Sequence, residues 1–393
     1  MLSTPYRDEM KKKIALLIIG LLTALVLFFI WILWKGSAAF TVEMTEPSSR
    51  LSSEIQAILA TTSVAEQTAQ IKKLLRRVGA EVTQEQLYRS GLPFTGQTHL
   101  LVHEVGDYLY ETHGPGGLSR CKDYFLSACY HGVLLHVIGD KGLVGVAETM
   151  EECRNAATHV FPQCAHAAGH GFLVWQDYNL LEALRLCDAL GAKVTGFPHF
   201  NCYDGAFMEN YWGVHSGAPS PKRWLRADDP HYPCTDSRMP AAYLKGCWAN
   251  QATVMLEFYR GDLKKVAEGC DRVQYAEYRE TCYNNFARQI HPLTEGKTEK
   301  AFALCQHANG EEWQNYCLRT LVTAAFSVGD REHMPFEICA TIRSSGREAC
   351  YAELFGVIEF FSSDPSDAAA LCERITDTEI QQRCFAYRRP HKQ

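Results

Sequence analysis

Residues 262–290 read DLKKVAEGCDRVQYAEYRETCYNNFARQI: an amphipathic helical stretch ending near a cysteine, a polar turn, and a second helical stretch opening at another cysteine. Residues 299–326, EKAFALCQHANGEEWQNYCLRTLVTAAF, repeat the plan. The 16 cysteines carry it along the chain as consecutive pairs. These are Cys121 with Cys129, Cys153 with Cys164, Cys187 with Cys202, and Cys234 with Cys247. Cys270 with Cys282, Cys305 with Cys317, Cys339 with Cys350, and Cys372 with Cys384 complete them. The second members stand 35, 38, 45, 35, 35, 33 and 34 residues apart. So regular a period is the mark of stacked helical hairpins. An aromatic usually follows the second cysteine, as at Tyr130, Tyr203, Trp248, Tyr283, Tyr351 and Phe385. Strand-type alternation is nearly absent. The expectation is an all-α, disulfide-stapled α-helical hairpin repeat solenoid.

An even cysteine count at regular spacing reads as a disulfide framework in an oxidising compartment. The spacing predicts that each pair closes its own hairpin, with pairing between neighbouring repeats left open. A crosslink across about 15 residues stabilises by roughly 3 kcal/mol in the chain-entropy picture. No CxxC occurs, which disfavours zinc ribbons, thioredoxin-type sites and c-type haem attachment. In repeat length and helix pairing, residues 53 to 393 resemble the helical-hairpin solenoids of the tetratricopeptide and Sel1-like kind. The pattern W-x2-L-G-x2-Y is absent. The resemblance therefore implies an architecture and no function.

The N-terminus speaks to compartment. Residues 14–34, IALLIIGLLTALVLFFIWILW, form an uncharged apolar run of 21 residues, long enough to span a hydrocarbon core of about 30 Å. Arg7 and Lys11 to Lys13 precede it and only Lys35 follows closely. The positive-inside bias then predicts a cytoplasmic tail over 1–13, an N-terminal transmembrane helix over 14–34, a linker over 35–52, and an exported remainder in the periplasm or outside the cell. A cleaved signal peptide is the alternative, with GSAA (36–39) as its cleavage region. The net charge of −6 and the lack of a basic patch interleaved with aromatics disfavour nucleic acid.

Ligand chemistry is concentrated in residues 53–211. Aligned on the second cysteine, Cys129 is followed by His131 at +2 and His136 at +7, and Cys164 by His166 at +2 and His170 at +6. Cys202 is followed by Asp204 at +2 and Glu209 at +7. With Gln97 standing in for a cysteine upstream, His99 falls at +2, His103 at +6 and Glu104 at +7. Later repeats (247–393) carry Ala249, Asn284, Arg319, Ala352 and Ala386 at +2. Imidazoles and carboxylates on successive helices suit zinc or iron, ahead of copper, as one ion or two. The expected metal ligands are His99, His103, His131, His136, His166, His170 and Asp204, with Glu104 or Glu209 as general base. The glycines Gly132, Gly171 and Gly205 leave room for a ligand or a neighbouring helix. The His103–Glu104 dyad resembles the His-Glu dyads of the HEAT-repeat deoxyhypusine hydroxylases. Only this one dyad matches, so the resemblance implies that helical repeats can build a di-metal site, not that activity.

The 45-residue step contains an insertion within 212–246 rich in Pro, Gly and Ser. It reads as a loop and a candidate lid, with His215, Arg223, Arg226 and His231 as substrate contacts. No GxSxG or HExxH motif occurs. Two functional expectations result. One is a membrane-anchored, extracytoplasmic metal-dependent enzyme, a hydrolase or oxygenase. The other is a non-catalytic scaffold that holds a protein, peptide or glycan.

Overall fold

The computed structural model describes residues 48–61, 63–90, 96–122, 124–155, 160–213, 220–327, 331, 333–342, 345–362 and 364–387. The apolar run at 14–34 lies outside them, as does His215. Among the described residues no helix is long and apolar enough to cross a membrane. The chain divides into two compact units, residues 1–54 and 55–393. The first is described only over 48–54, where helix α1 (Ser48–Ala60) opens.

The second unit is all-helical among its described residues. After α1 come α2 (Val64–Val78), α3 (Ala80–Arg89), α4 (Gly96–His113), a 3₁₀ turn (Gly114–Arg120) and α5 (Tyr124–Asn155). Then follow α6 (Val160–Trp175), α7 (Leu180–Gly191), α8 (His199–Trp212), α9 (Ala241–Phe258), α10 (Leu263–Asp271) and α11 (Ala276–Thr294). The chain closes with α12 (Thr298–Cys305), α13 (Gly310–Ser327), α14 (Met334–Thr341), α15 (Ser345–Phe361), α16 (Pro365–Cys372) and α17 (Thr378–Ala386). Several short first helices begin at polar caps that take up otherwise unpaired backbone N–H groups. Asn179, Asp262 and Asp364 cap α7, α10 and α16 in this way.

The open question of connectivity resolves to pairing within each hairpin. Cys121 is bonded to Cys129, Cys153 to Cys164, Cys187 to Cys202, and Cys234 to Cys247. Cys270 is bonded to Cys282, Cys305 to Cys317, Cys339 to Cys350, and Cys372 to Cys384. Partners are 8 to 15 residues apart in sequence, with Cα separations of 5.3 to 6.4 Å. No cysteine is left free among the described residues.

The second helices α4, α5, α6, α8, α9, α11, α13 and α15 pack side by side in chain order. Each short first helix (α7, α10, α12, α14) bridges the second helices before and after it. The core lies between these layers, with Phe172, Tyr283, Phe286 and Phe326 fully buried. The aromatic after the second cysteine ties the two helices together. Tyr203 donates to Asp188, and Tyr283 donates to Asp271 at 2.7 Å. Both carboxylates directly follow the first cysteine of their pair.

One joint departs from the expected hairpin plan. The 32 residues of α5 carry Cys129 near one end and Cys153 near the other. The second helix of one hairpin therefore runs into the first helix of the next. Gly142, at φ +58°, occupies that passage, in a backbone region costly for residues with a Cβ.

Candidate metal centre

Two glycine contacts bring the helices carrying the histidines unusually close. A Cβ on Gly106 of α4 would lie 2.1 Å from the Cys129 carbonyl oxygen, and one on Gly132 of α5 would lie 2.4 Å from the His103 carbonyl oxygen. The same arrangement joins α6 to α8, where a Cβ on Gly169 would lie 2.0 Å from the Cys202 oxygen and one on Gly205 2.0 Å from the His166 oxygen. Real Cβ atoms do not tolerate such distances, so these backbones approach only because the side chains are missing. Gly171 instead gives its space to Ile138, whose Cδ1 would stand 2.2 Å from an added Cβ.

The close approach assembles five imidazoles. His99 and His103 lie one turn apart on α4, where residues four apart share a face. His99 Nε2 stands 3.0 Å from His103 Nε2 and 3.1 Å from His131 Nδ1. Two ligands bound to one zinc at about 2.0–2.1 Å stand about 2.9–3.4 Å apart for bond angles between octahedral and tetrahedral. The three nitrogens lie within 4.8 Å of one another and are placed to hold a metal ion. His103 and His131 are buried, and His99 is partly so. Burial, and then the surrounding imidazoles, hold His131 well below the ordinary histidine range. The ring is therefore neutral, as a ligand must be.

Hydrogen bonds on the far side of His99 fix its tautomer. His99 Nδ1–H donates to the Phe125 carbonyl at 2.8 Å, leaving Nε2 as a lone pair. Phe125 itself has φ +54°, a left-handed conformation uncommon for a bulky residue. One lone pair accepts one N–H. Yet two ring nitrogens stand within 3.1 Å of it. A cation among the three nitrogens would resolve that conflict.

On α6, His166 Nδ1–H donates to Asp204 Oδ2 at 3.0 Å and His170 Nδ1–H to Glu209 Oε2 at 3.1 Å. Both carboxylates come from α8 and are braced from behind. Asn250 Nδ2 donates to Asp204 Oδ1 at 2.9 Å, and the Tyr178 hydroxyl donates to Glu209 Oε1 at 2.6 Å. Burial pushes the Asp204 carboxyl up, but the hydrogen bonds from His166 and Asn250, with the nearby Arg288 charge, outweigh it and leave Asp204 below its ordinary value. A carboxylate behind a histidine sets ring orientation and raises ligand basicity. Glu209 sits in the last turn of α8, which Gly213 ends at φ +60° with its N–H on the Glu209 carbonyl.

Of the residues read from the sequence, His99, His103, His131, His166 and His170 thus come together. Asp204 stands behind His166, where both of its oxygens are engaged by His166 and Asn250. His136 is set apart. Its Nε2 is 3.2 Å from Asp107 Oδ1 and its ring stacks on Tyr110 at 5.1 Å, because five residues on from His131 is about 140° around the helix. The Asp107 carboxylate raises the His136 pKa against the opposing effect of burial. Glu104 faces Lys72 of α2, which approaches Oε2 at 3.1 Å as an ion pair without hydrogen-bond geometry. Burial raises its carboxyl, Lys72 opposes that, and Asp107 adds to it. Cys247, Cys282, Cys317 and Cys350 lie on α9, α11, α13 and α15, the second helices beyond the imidazoles. Each is buried in its disulfide, so these four are staples of the later hairpins and offer no thiolate to an ion.

The described part of the insertion, from residue 220 on, is folded against itself and the end of α8. Asn210 exchanges hydrogen bonds with the Trp224 backbone at 2.8 and 3.0 Å. Arg223 donates to the Tyr211 carbonyl at 2.5 Å, Arg226 lies 4.2 Å over the Tyr232 ring, and His231 Nε2 meets the Gly269 carbonyl at 3.3 Å. Trp224 and Lys222 share an open cleft of about 390 Å³ with Gln176, Asp177, Tyr178 and Asn179. The sequence did not mark Tyr178, Asn250 or the Phe125 carbonyl, which lie outside the +2, +6 and +7 register. No family model matches the chain, and no curated protein or solved structure matches it.

Proposed function

We propose that this chain is an extracytoplasmic metalloprotein, held to a membrane through residues 14–34, whose centre is a divalent ion on His99 Nε2, His103 Nε2 and His131 Nδ1. One observation carries the reading. The lone pair on His99 Nε2 faces two further ring nitrogens at 3.0 and 3.1 Å in a buried site. The eight disulfides support an oxidising, extracellular environment.

Three imidazoles leave coordination positions open, the pattern of catalytic rather than structural zinc. The role proposed is therefore a metal-dependent enzyme, a hydrolase or oxygenase, using zinc or iron ahead of copper. A bound ion there supplies a Lewis acid and an acidified water. The chain's own groups orient the rings, the Phe125 carbonyl behind His99 among them. In this reading Asp204 and Glu209 orient imidazoles, and the insertion with Trp224 screens the Tyr178 side. Apart from His391 at +7 of the last pair, the hairpins from α9 onward carry no imidazole at the registered positions, which supports a second role for them as a surface for a protein, peptide or glycan.

The test is elemental analysis of the full-length chain purified without a histidine tag, beside the variant His103→Ala. The expected result is stoichiometric zinc or iron, with the loss of one ion in the variant. A wild-type chain that holds no metal, even after incubation with zinc and ferrous iron, overturns the proposal.

A further inference from the structure

The second pair of imidazoles poses the same electrostatic problem as the first group. His166 Nε2 and His170 Nε2 face each other at 3.0 Å. Each ring donates its Nδ1 proton to a carboxylate, to Asp204 and Glu209 respectively. Neutral rings with that tautomer carry lone pairs at both Nε2 atoms. Two buried lone pairs in contact repel, so a positive species belongs between them.

His131 supplies a third nitrogen. Its Nδ1 faces the first group, whereas its Nε2 is buried and has no hydrogen-bond partner. A buried polar atom left this way costs about 1–3 kcal/mol, and native structures rarely carry one without a reason. The ring centroid stands 5.6 Å from both His166 and His170. Within the first group the centroids are 4.7, 4.9 and 5.1 Å apart, and His166 and His170 are 4.8 Å apart. His131 therefore stands between two imidazole pairs, with Nδ1 on the first and its buried Nε2 without a hydrogen-bond partner.

We propose a second divalent cation held by His131 Nε2, His166 Nε2 and His170 Nε2, so that His131 bridges two ions as an imidazolate. The bridge rests on the first ion proposed above. The proton balance is simple. Neutral His131 has one ring proton, and binding both ions releases it to solvent, one per chain. Most of the added charge is offset locally, since the imidazolate, Asp204 and Glu209 contribute three negative charges against four positive ones. The full burial of Glu209, whose side chain is 0 % exposed, suits this role, because a buried carboxylate calls for a compensating cation. Fixed carboxylates of this kind are what metal-bound histidines ordinarily have behind them.

The experiment uses the chelator-stripped full-length chain titrated with Zn²⁺, with bound metal counted per chain for wild type, His103→Ala and His170→Ala. A parallel sample is loaded with Cu²⁺ for electron paramagnetic resonance. The expected wild-type count is two ions, falling to one in either variant. The two-copper form should integrate to well under two spins, because an imidazolate couples the ions antiferromagnetically. Circular dichroism shows whether each variant is folded, and His166→Gln replaces His170→Ala if that variant is not. One ion in wild type, lost in His103→Ala and kept in His170→Ala, overturns the second position while the first stands. One ion lost only in His170→Ala overturns the first position and the bridge together. Two ions with a full two-spin signal overturn the bridge, and no bound metal overturns both positions, leaving a shared proton between His166 and His170.

Discussion

His131→Ala is expected to weaken metal binding at both positions by more than 100-fold, the upper end of what losing a mere orienting partner costs. The reason is its place in the fold. His131 is the only imidazole that α5 contributes to the cluster, and it lies 3.1 Å from His99 Nε2 on one edge. On the other edge it stands 5.6 Å from the rings of His166 and His170. Truncation leaves two nitrogens on each side, too few for a buried site without thiolates. His136→Ala on the same helix is the control. It breaks only the contacts with Asp107 and Tyr110, so metal content should match wild type. Equilibrium dialysis against Zn²⁺ with a competing chelator measures both.

The second large effect is expected from Gly205→Ala. The added methyl would lie 2.0 Å from the His166 carbonyl oxygen. Both sides of that contact are backbone, so no side chain can rotate away and α6 must separate from α8. Overpacking of this kind costs about 1–3 kcal/mol. The better helix propensity of alanine returns about 1 kcal/mol of it. A net loss of up to about 2 kcal/mol should appear in the urea midpoint, together with weaker metal binding as Asp204 moves off His166. Gly139→Ala on α5 carries the same propensity gain with nothing within 4 Å of the new methyl. It should be stabilising by up to about 1 kcal/mol. Equal behaviour of the two variants would show that close backbone approach does not hold the site together.

Much of the architecture was legible because cysteine spacing is a one-dimensional record of hairpin closure. Pairs 8 to 15 residues apart leave little choice of partner once each lies across its own turn. Cys247, Cys282, Cys317 and Cys350 each found the cysteine just upstream for that reason. The registered histidines were legible for a related reason: equivalent positions on parallel second helices face the same layer, so His99, His131 and His166 had to be neighbours. Register fails at +7, where the outcome depends on how each pair of helices crosses. Glu209 turns inward to His170, while His136 turns away to Asp107. The contact of Asp204 with His166 was also hidden, since residue type does not distinguish a carboxylate that ligates from one that backs an imidazole. Nor does spacing show that Cys129 and Cys153 share one continuous helix, because the link depends on Gly142 bending without stopping it.

Anomalous diffraction from crystals of the zinc-loaded chain, recorded on both sides of the zinc edge, locates an ion among the His99, His103 and His131 nitrogens directly. A peak is expected about 2.0–2.1 Å from His99 Nε2, His103 Nε2 and His131 Nδ1. Zinc-loaded crystals in which those three nitrogens keep their places with no anomalous peak among them would contradict the metal centre proposed for them.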